Sequence, residues 1–208
     1  MTHSTPMDGD HYFSAAPATP DQRRTLRVRL AGRDVEVQTA RGVFSADRVD
    51  LGTSVLLREV PDPPERGDLL DLGCGWGPIT LTMAMLSPGA TVWAVDVNAR
   101  ALDLVRRNAE SLGLRNVRPV TPEEVPDDVR FAALWSNPPI RVGKAELHAL
   151  MTRWLPRLDD GASAYLVVQR HLGADSLHTW LRHAMPDLDT TRVGSAKGFR
   201  VLRVHRAG

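Results

Sequence analysis

Three short segments hold residues whose types and spacing can do chemistry. The first is D-L-G-C-G-W-G-P, residues 71–78, with Gly73, Gly75 and Gly77 at alternate positions. Glycine lets the backbone take positive φ and lets a ligand approach where a Cβ would collide. Pro78 fits the first turn of a helix, whose unpaired N–H groups then face the loop. The segment reads as a cofactor cradle. In the dinucleotide fingerprint G-x-G-x-x-G the third glycine stands one residue later, so this spacing disfavours a pyrophosphate. The second is Asp96, 23 residues beyond Gly73, which closes T-V-W-A-V-D. A carboxylate at such a strand end accepts both hydroxyls of a ribose lying across the sheet edge. Asp71 is expected to face the same crevice, where a carboxylate suits a cationic cofactor better than a diphosphate.

The third segment is S-N-P-P-I-R-V-G-K, residues 136–144, which ends the apolar run F-A-A-L-W. An amine conjugated to a ring or an amide is a poor nucleophile and must be oriented before it attacks. The Asn137 side-chain carbonyl can accept one of its N–H groups and the Pro138 main-chain carbonyl another, aiming the lone pair at an incoming methyl group. Pro138 and Pro139 hold that carbonyl still, because φ is fixed and neither has an N–H. Within the glycine loop, Cys74 reads as a small apolar residue and Trp76 as packing at the pocket rim.

These residues need a scaffold, and the apolar pattern supplies one. Residues 1–25 are rich in Pro, Ser, Thr and Asp without a period and read as an extended arm, whose notable piece is H-Y-F-S at residues 11–14. Over residues 26–40, Leu26, Val28, Leu30, Val35, Val37 and Thr39 alternate with charge, predicting an antiparallel hairpin that turns near Gly32. Thr53 or Ser54 is placed to cap a short helix carrying Val55, Leu56 and Leu57. From Asp68 onward strands and helices alternate: L-L-D-L, a helix over 78–86, T-V-W-A-V-D, a helix capped by Asn98 and ended by Gly113, N-V-R-P-V, then F-A-A-L-W. A helix with Leu147, Leu150, Met151, Trp154, Leu155 and Leu158 on one stripe follows, then A-S-A-Y-L-V-V, a helix over 175–184 and a closing hairpin. Such alternation with apolar strands predicts a parallel sheet covered by helices on both faces, in one α/β domain over 26–208 whose core spans 41–208.

Composition excludes several function classes. Of 208 residues 42% are apolar and 25% charged, as in an ordinary globular protein. The one cysteine rules out an intrachain disulfide and a Cys-rich metal site, and His178 and His183, five apart, do not share a helical face. Ser136, Ser163 and Ser176 lack a nucleophile-elbow context. The first ten residues have no basic and apolar leader pattern and nowhere do eighteen apolar residues run together, so no membrane span is expected and the cytoplasm is the default location. A net charge of +1 argues against gripping nucleic acid by bulk electrostatics. The charge is unevenly placed, however: residues 190–208 carry Arg192, Lys197, Arg200, Arg203 and Arg206 and no acid. They read either as a solvated strand face or as a phosphate-facing edge.

D-L-G-C-G-W-G-P, V-D-V-N and S-N-P-P-I-R-V-G-K resemble the S-adenosylmethionine-dependent methyltransferases of the Rossmann-like class, and within it the methyltransferase-small family, which includes guanine methyltransferases of small-subunit ribosomal RNA. H-Y-F-S, G-V-F-S with D-L-G-T-S-V-L-L, and K-G-F-R-V-L extend the resemblance over residues 11–204. It implies a mostly parallel seven-stranded sheet of order 3-2-1-4-5-7-6, S-adenosylmethionine as methyl donor, and an exocyclic amine as acceptor, that of guanine N2 in 16S ribosomal RNA. Ribosomal RNA or the small ribosomal subunit would be the partner, with no metal. Carried over, Asp71, Gly73 and Gly75 hold the methionine end, Asp96 the ribose, and Thr53 the cofactor from the preceding segment. Asn137, Pro138 and Pro139 hold the target amine, with Asn137 also at the cofactor. A small-molecule or protein-amide acceptor, or an inactive cofactor-binding subunit that recruits RNA, fits the same motifs.

The chain departs from the family pattern in three places. The long ribosomal enzyme has a further N-terminal domain where this chain has an arm and a hairpin. The acid that reads the adenine amine after the third strand has two candidates here, Glu123 and Glu124. After N-P-P stands Ile140 instead of the aromatic that other amine methyltransferases stack on a base. Arg141 and Lys144 beyond it either meet a phosphate or open the next helix.

Overall fold

The computed structural model describes residues 22–208. Residues 11–14, with H-Y-F-S, lie outside the described residues. Strands β1 (Arg23–Leu30) and β2 (Arg33–Ala40) pair antiparallel, and the turn between them places Ala31 at φ 48° and Gly32 at φ 74°. Two consecutive positive φ values are what a two-residue hairpin loop requires to match strand twist. The ladder extends to Arg23, paired with Ala40, so the last three residues assigned to the arm belong to the strand.

Helix α1 (Leu51–Glu59) is capped three residues before Thr53 and four before Ser54, the expected caps. Its cap is Asp50, extended at φ −56° and ψ 147°, whose carboxylate accepts from Thr53 N. Thr53 already lies inside the first turn, and a cap must sit outside it with non-helical dihedrals.

The core then runs β3 (Arg66–Leu72), α2 (Pro78–Leu86), β4 (Gly89–Val95), α3 (Ala99–Ser111), β5 (Val117–Val120) and β6 (Phe131–Ser136). It continues through α4 (Lys144–Trp154), β7 (Leu158–Gln169), α5 (Ala174–Ala184), β8 (Leu188–Ala196) and β9 (Phe199–Arg206). The sheet has seven strands in the order β5-β4-β3-β6-β7-β9-β8, with β9 antiparallel to both its neighbours. Counted from β3, that is the expected 3-2-1-4-5-7-6. The stripe expected on α4 ends at Trp154; a 3₁₀ turn through Pro156 follows, and Leu158 opens β7.

Alternate residues of each strand serve opposite faces. Leu70, Leu72, Leu134 and Leu166 pack with Leu147, Met151 and Trp154 of α4 and Leu177 of α5. Leu69, Ala133, Trp135 and Val167 pack with Val55 and Leu56 of α1 and Ile79 and Met83 of α2. Full burial of each such leucine contributes about 1.5–3 kcal/mol, enough to fix the register of β3 and β6. Trp76 is not at a rim: it is 1% exposed, packs with Leu30, Val37 and Leu104, and donates Nε1 to Ser45 O at 3.1 Å. It anchors the N-terminal hairpin. Asn108 of α3 adds to that anchor, accepting from Gln38 N and donating to Gln38 O and Trp76 O.

Candidate active site

The first crossovers run from β3 outward to β4 and β5, and the chain returns to add β6 on the other side of β3. Loops leaving β3 and β6 therefore diverge, and a crevice opens at the carboxyl ends of the strands. A cavity of about 290 Å³ occupies it, near the lower end of ligand-pocket sizes. Gly73 and Gly75 line one half together with Asp96, Val97 and Asn98; Asn137, Pro138, Gln169 and Phe199 line the other.

The glycine half is made mostly of main chain. Gly73 lies at φ 79°, and a Cβ built on it would meet no atom within 4 Å, so the space beside this loop is open to a ligand. Gly75 takes φ 56°, and its N–H donates to Asp96 Oδ2 at 3.0 Å. Gly77, at φ 99°, caps α2, and a Cβ there would press to 3.1 Å on Val105. Asp96 Oδ1 accepts from Asn98 N at 2.9 Å, so both carboxylate oxygens are fixed by main-chain donors. Burial pushes the Asp96 carboxyl up, opposed by the N–H groups of Asn98, Gly75 and Val97.

Asp71 lies one layer beneath. It is fully buried and its Oδ2 accepts from Thr80 N at 2.9 Å and Thr80 Oγ1 at 2.5 Å, tying β3 to the first turn of α2. Its Oδ1 has no hydrogen-bond partner among the described residues. Burial raises this carboxyl to about 7, against the two Thr80 hydrogen bonds and with the Asp96 charge adding to the rise. Cys74 is buried against Ala94, Leu102 and Val105, and burial followed by the charges of Asp96 and Asp71 pushes its thiol well up, so it is packing and not a nucleophile.

The other half is made of side chains from distant segments. Asn137 Nδ2 donates to Asp50 Oδ2 at 2.9 Å and to Thr53 Oγ1 at 3.1 Å. A carboxylate can only accept, so the amide nitrogen must face α1 and the amide oxygen the other way. Thr53 is 3% exposed and does not line the cavity; it acts on Asn137 from behind. Pro138 O accepts from Ile140 N at 2.8 Å around Pro139 at φ −73° and ψ 75°, an inverse γ-turn that fixes the direction of this carbonyl and leaves one lone pair.

Sequence reasoning missed Asp50, although an acid three residues before Thr53 has the spacing of a helix cap. It also missed Phe44, Gln169 and Phe199, which line the cavity from elements that the sequence does not visibly bring together. Glu123 and Glu124 do not line it: Glu123 pairs with Arg153 at 3.5 Å, and Glu124 accepts from Thr121 N at 2.7 Å, which lowers its carboxyl. Pro122 takes their place in the wall. The basic C-terminal run is largely occupied internally. Arg200 pairs with Asp175, Arg203 donates to Ser163 and Arg206 to Pro156 O. No group of His, Cys, Asp and Glu able to hold a metal occurs among the described residues, and no helix there is long and apolar enough to cross a membrane.

A family model for the methyltransferase small domain matches residues 34–203, which includes every cavity-lining residue named above. The chain belongs to the methyltransferase small family. Its relatives in this family include YbxB of Bacillus subtilis, an uncharacterized protein, 32% identical over 95% of this chain and 98% of its own length. Ribosomal RNA small subunit methyltransferase C of Ectopseudomonas mendocina is 32% identical over 92% of this chain and 58% of the enzyme. The same-named enzyme of Aeromonas hydrophila is matched over 34% of its length, so the chain spans about one third to three fifths of these two. Among solved structures, the 16S rRNA N2 G1207 methyltransferase of Thermus thermophilus, in complex with AdoMet and guanosine, superposes with a TM-score of 0.76 at 26% identity. That match covers 90% of this chain and 51% of the enzyme. A methyltransferase of Pyrococcus furiosus shares the fold at 18% identity and a TM-score of 0.59.

Proposed function

We propose that the chain is an S-adenosylmethionine-dependent N-methyltransferase whose acceptor is the exocyclic amine of a guanine in ribosomal RNA. The observation that carries this reading is the polarity of Asn137. With Nδ2 given to Asp50 and Thr53, only the amide oxygen is left for a ligand, and an oxygen there accepts an N–H. An acceptor that presented a bare oxygen would meet oxygen.

The cavity suits a cationic cofactor. Asp50 and Asp96 line it, and two carboxylates suit a positive charge better than a diphosphate. Gly73 and Gly75 would hold the amino-acid end by main chain, Asp96 the ribose, and Ala101, Pro122 and Leu150 the faces of the adenine. Bound there, the cofactor supplies an electrophilic methyl group on a sulfonium. Asn137 and the Pro138 carbonyl accept the two N–H bonds of the target amine, which turns its lone pair out of the ring plane and towards the glycine half. Positioning of this kind supplies up to roughly 7–11 kcal/mol of a barrier. The nitrogen attacks before losing a proton, so no general base is required, and solvent takes the proton afterwards. The Thermus thermophilus enzyme, described as acting on guanine N2, supports guanine as the base.

Tritium transfer from methyl-labelled cofactor to purified small ribosomal subunits, naked ribosomal RNA, total protein and a small-metabolite pool tests the reading. Label in subunits or RNA, released on digestion as N2-methylguanosine, is the expected result. Label confined to protein or metabolites overturns the acceptor. Cofactor binding with no transfer to any of the four overturns the activity itself.

A further inference from the structure

We propose that Phe199 and Gln169 form the acceptor-base subsite, with Phe199 as the stacking platform that Ile140 cannot provide. The inference rests on the N-methyltransferase reading above. Strands in a sheet lie about 4.8 Å apart, and the order β4-β3-β6-β7-β9 spreads the cavity along one edge. Asp96 follows β4, the glycines follow β3, and Asn137 follows β6 at the middle. Gln169 ends β7 and Phe199 starts β9, so both lie on the side of Asn137 away from the glycines. The transferred methyl arrives from the glycine side. The base that carries the amine must therefore lie over β7 and β9.

What it meets there is suited to a planar heterocycle. Gln169 and Phe199 are direct partners in the β7–β9 ladder, so their side chains share one face of the sheet edge. Phe199 is half-buried and packs against the α1-side core while part of its ring borders the cavity. Its position is set from behind. A Cβ on Gly52 would lie 2.8 Å from Phe199 Cε1 and 2.9 Å from Asp50 Oδ2, so the bare glycine at the start of α1 makes room for the ring beside the carboxylate that orients Asn137. Any larger residue at position 52 would push ring and carboxylate apart. Gln169 has no side-chain hydrogen bond to another described residue, so its amide keeps both a donor and an acceptor for the edge of a base. Leu172, 43% exposed beyond it, extends the apolar wall outwards. The aromatic ring of this half thus stands on the turn side of β9, while the residue after N-P-P, Ile140, is aliphatic.

The test is calorimetric titration of guanosine, adenosine and ribose into protein saturated with S-adenosylhomocysteine. It uses wild type, Phe199→Ala, Phe199→Leu, Phe199→Tyr and Gln169→Ala, with thermal melts to confirm folding. Stacking predicts that guanosine binds wild type more tightly than ribose does, and that Phe199→Ala weakens guanosine roughly tenfold to hundredfold. Phe199→Tyr stays within about twofold, and Phe199→Leu falls near the alanine variant although it fills the space, while ribose and S-adenosylhomocysteine are unmoved in all. Gln169→Ala narrows the preference for guanosine over adenosine. If Phe199→Leu binds guanosine like wild type, or wild type does not prefer guanosine to ribose, the subsite is wrong even where the tritium assay still labels RNA. A wild type that labels no RNA overturns the guanine acceptor, and this subsite with it.

Discussion

The two halves of the cavity are built from different materials. On the glycine side the contacts are main-chain groups of one loop, held by the first turn of α2, together with a single side chain, the Asp96 carboxylate. On the asparagine side they are side chains of Asp50, Asn137, Gln169 and Phe199, from four separate segments. Main chain gives a geometry that tolerates few changes of conformation but is indifferent to most changes of side chain outside the glycines. Side chains give a surface that can be altered one contact at a time without disturbing the loop. A methyl donor held in one fixed pose calls for the first, and selection of one acceptor among others calls for the second.

If this division holds, changes on the asparagine side move turnover and leave cofactor affinity alone, and changes on the glycine side do the reverse. The largest effect is expected from Asn137→Ala, with kcat down by about 10²–10³ and cofactor affinity within about threefold. Loss of cofactor binding in this variant, measured by calorimetry, would break the comparison. Next comes Asp96→Ala. Removing a charged acceptor weakens cofactor binding by roughly tenfold to hundredfold, with kcat at saturating cofactor nearly kept. Asp50→Ala sharpens the other half. Freed from its carboxylate, the Asn137 amide can present nitrogen to the acceptor, and kcat should drop about five- to tenfold. Asp50→Asn restores most of it because its oxygen still accepts from Nδ2. Equal losses in the two variants would show that charge, and not amide polarity, is what Asp50 contributes.

Two smaller effects concern the layer beneath the loop. Asp71 is raised to about 7 from its usual 3.8, so between these values the folded chain keeps a proton that the unfolded chain has released. Stability therefore falls as pH rises through this window, and above pH 7 the full cost of the buried charge is present. Asp71→Asn cannot titrate, so its melting temperature should fall less between pH 5 and pH 8 than that of wild type. Parallel curves in differential scanning calorimetry would refute the assignment. The smallest effect is a null one. At pH 8 the buried Cys74 thiol should resist a maleimide in the native state and react only after denaturation, as read by mass spectrometry.

The same contrast explains what could be read from the residues alone. The helix from Pro78 and the cap at Asn98 were legible because each depends on a local signal, a proline or a cap, whereas the strand order followed from the family resemblance and not from any local pattern. The glycine loop and Asp96 were legible for the same reason, as a single strand–turn–helix unit with an acid after the next strand. The acceptor half was not. Phe199 looks like any aromatic opening a strand, and Gln169 like any polar residue closing one, until the antiparallel register sets them opposite each other. Trp76 beside the glycines suggested a rim because proximity in sequence was taken for proximity to the ligand. The hairpin, whose docking site is not visible in its own residues, claims that ring instead. Glu123 and Glu124 failed for a related reason, since the turn after β5 gives Glu124 to the N–H of Thr121 and Glu123 to Arg153 of α4.

Asp50 stands 87 residues before the asparagine it orients, and its helix rests on β7 and β9, among the last strands of the chain. A growing chain that has reached β6 already holds the glycine loop, Asp96 and part of the surface under α1, whereas the contacts of α1 with β7 and β9 are completed only by the last strands. The direction of the acceptor amide thus depends on an early helix held in part by the last strands, so a change in β9 can reach Asn137 without touching it.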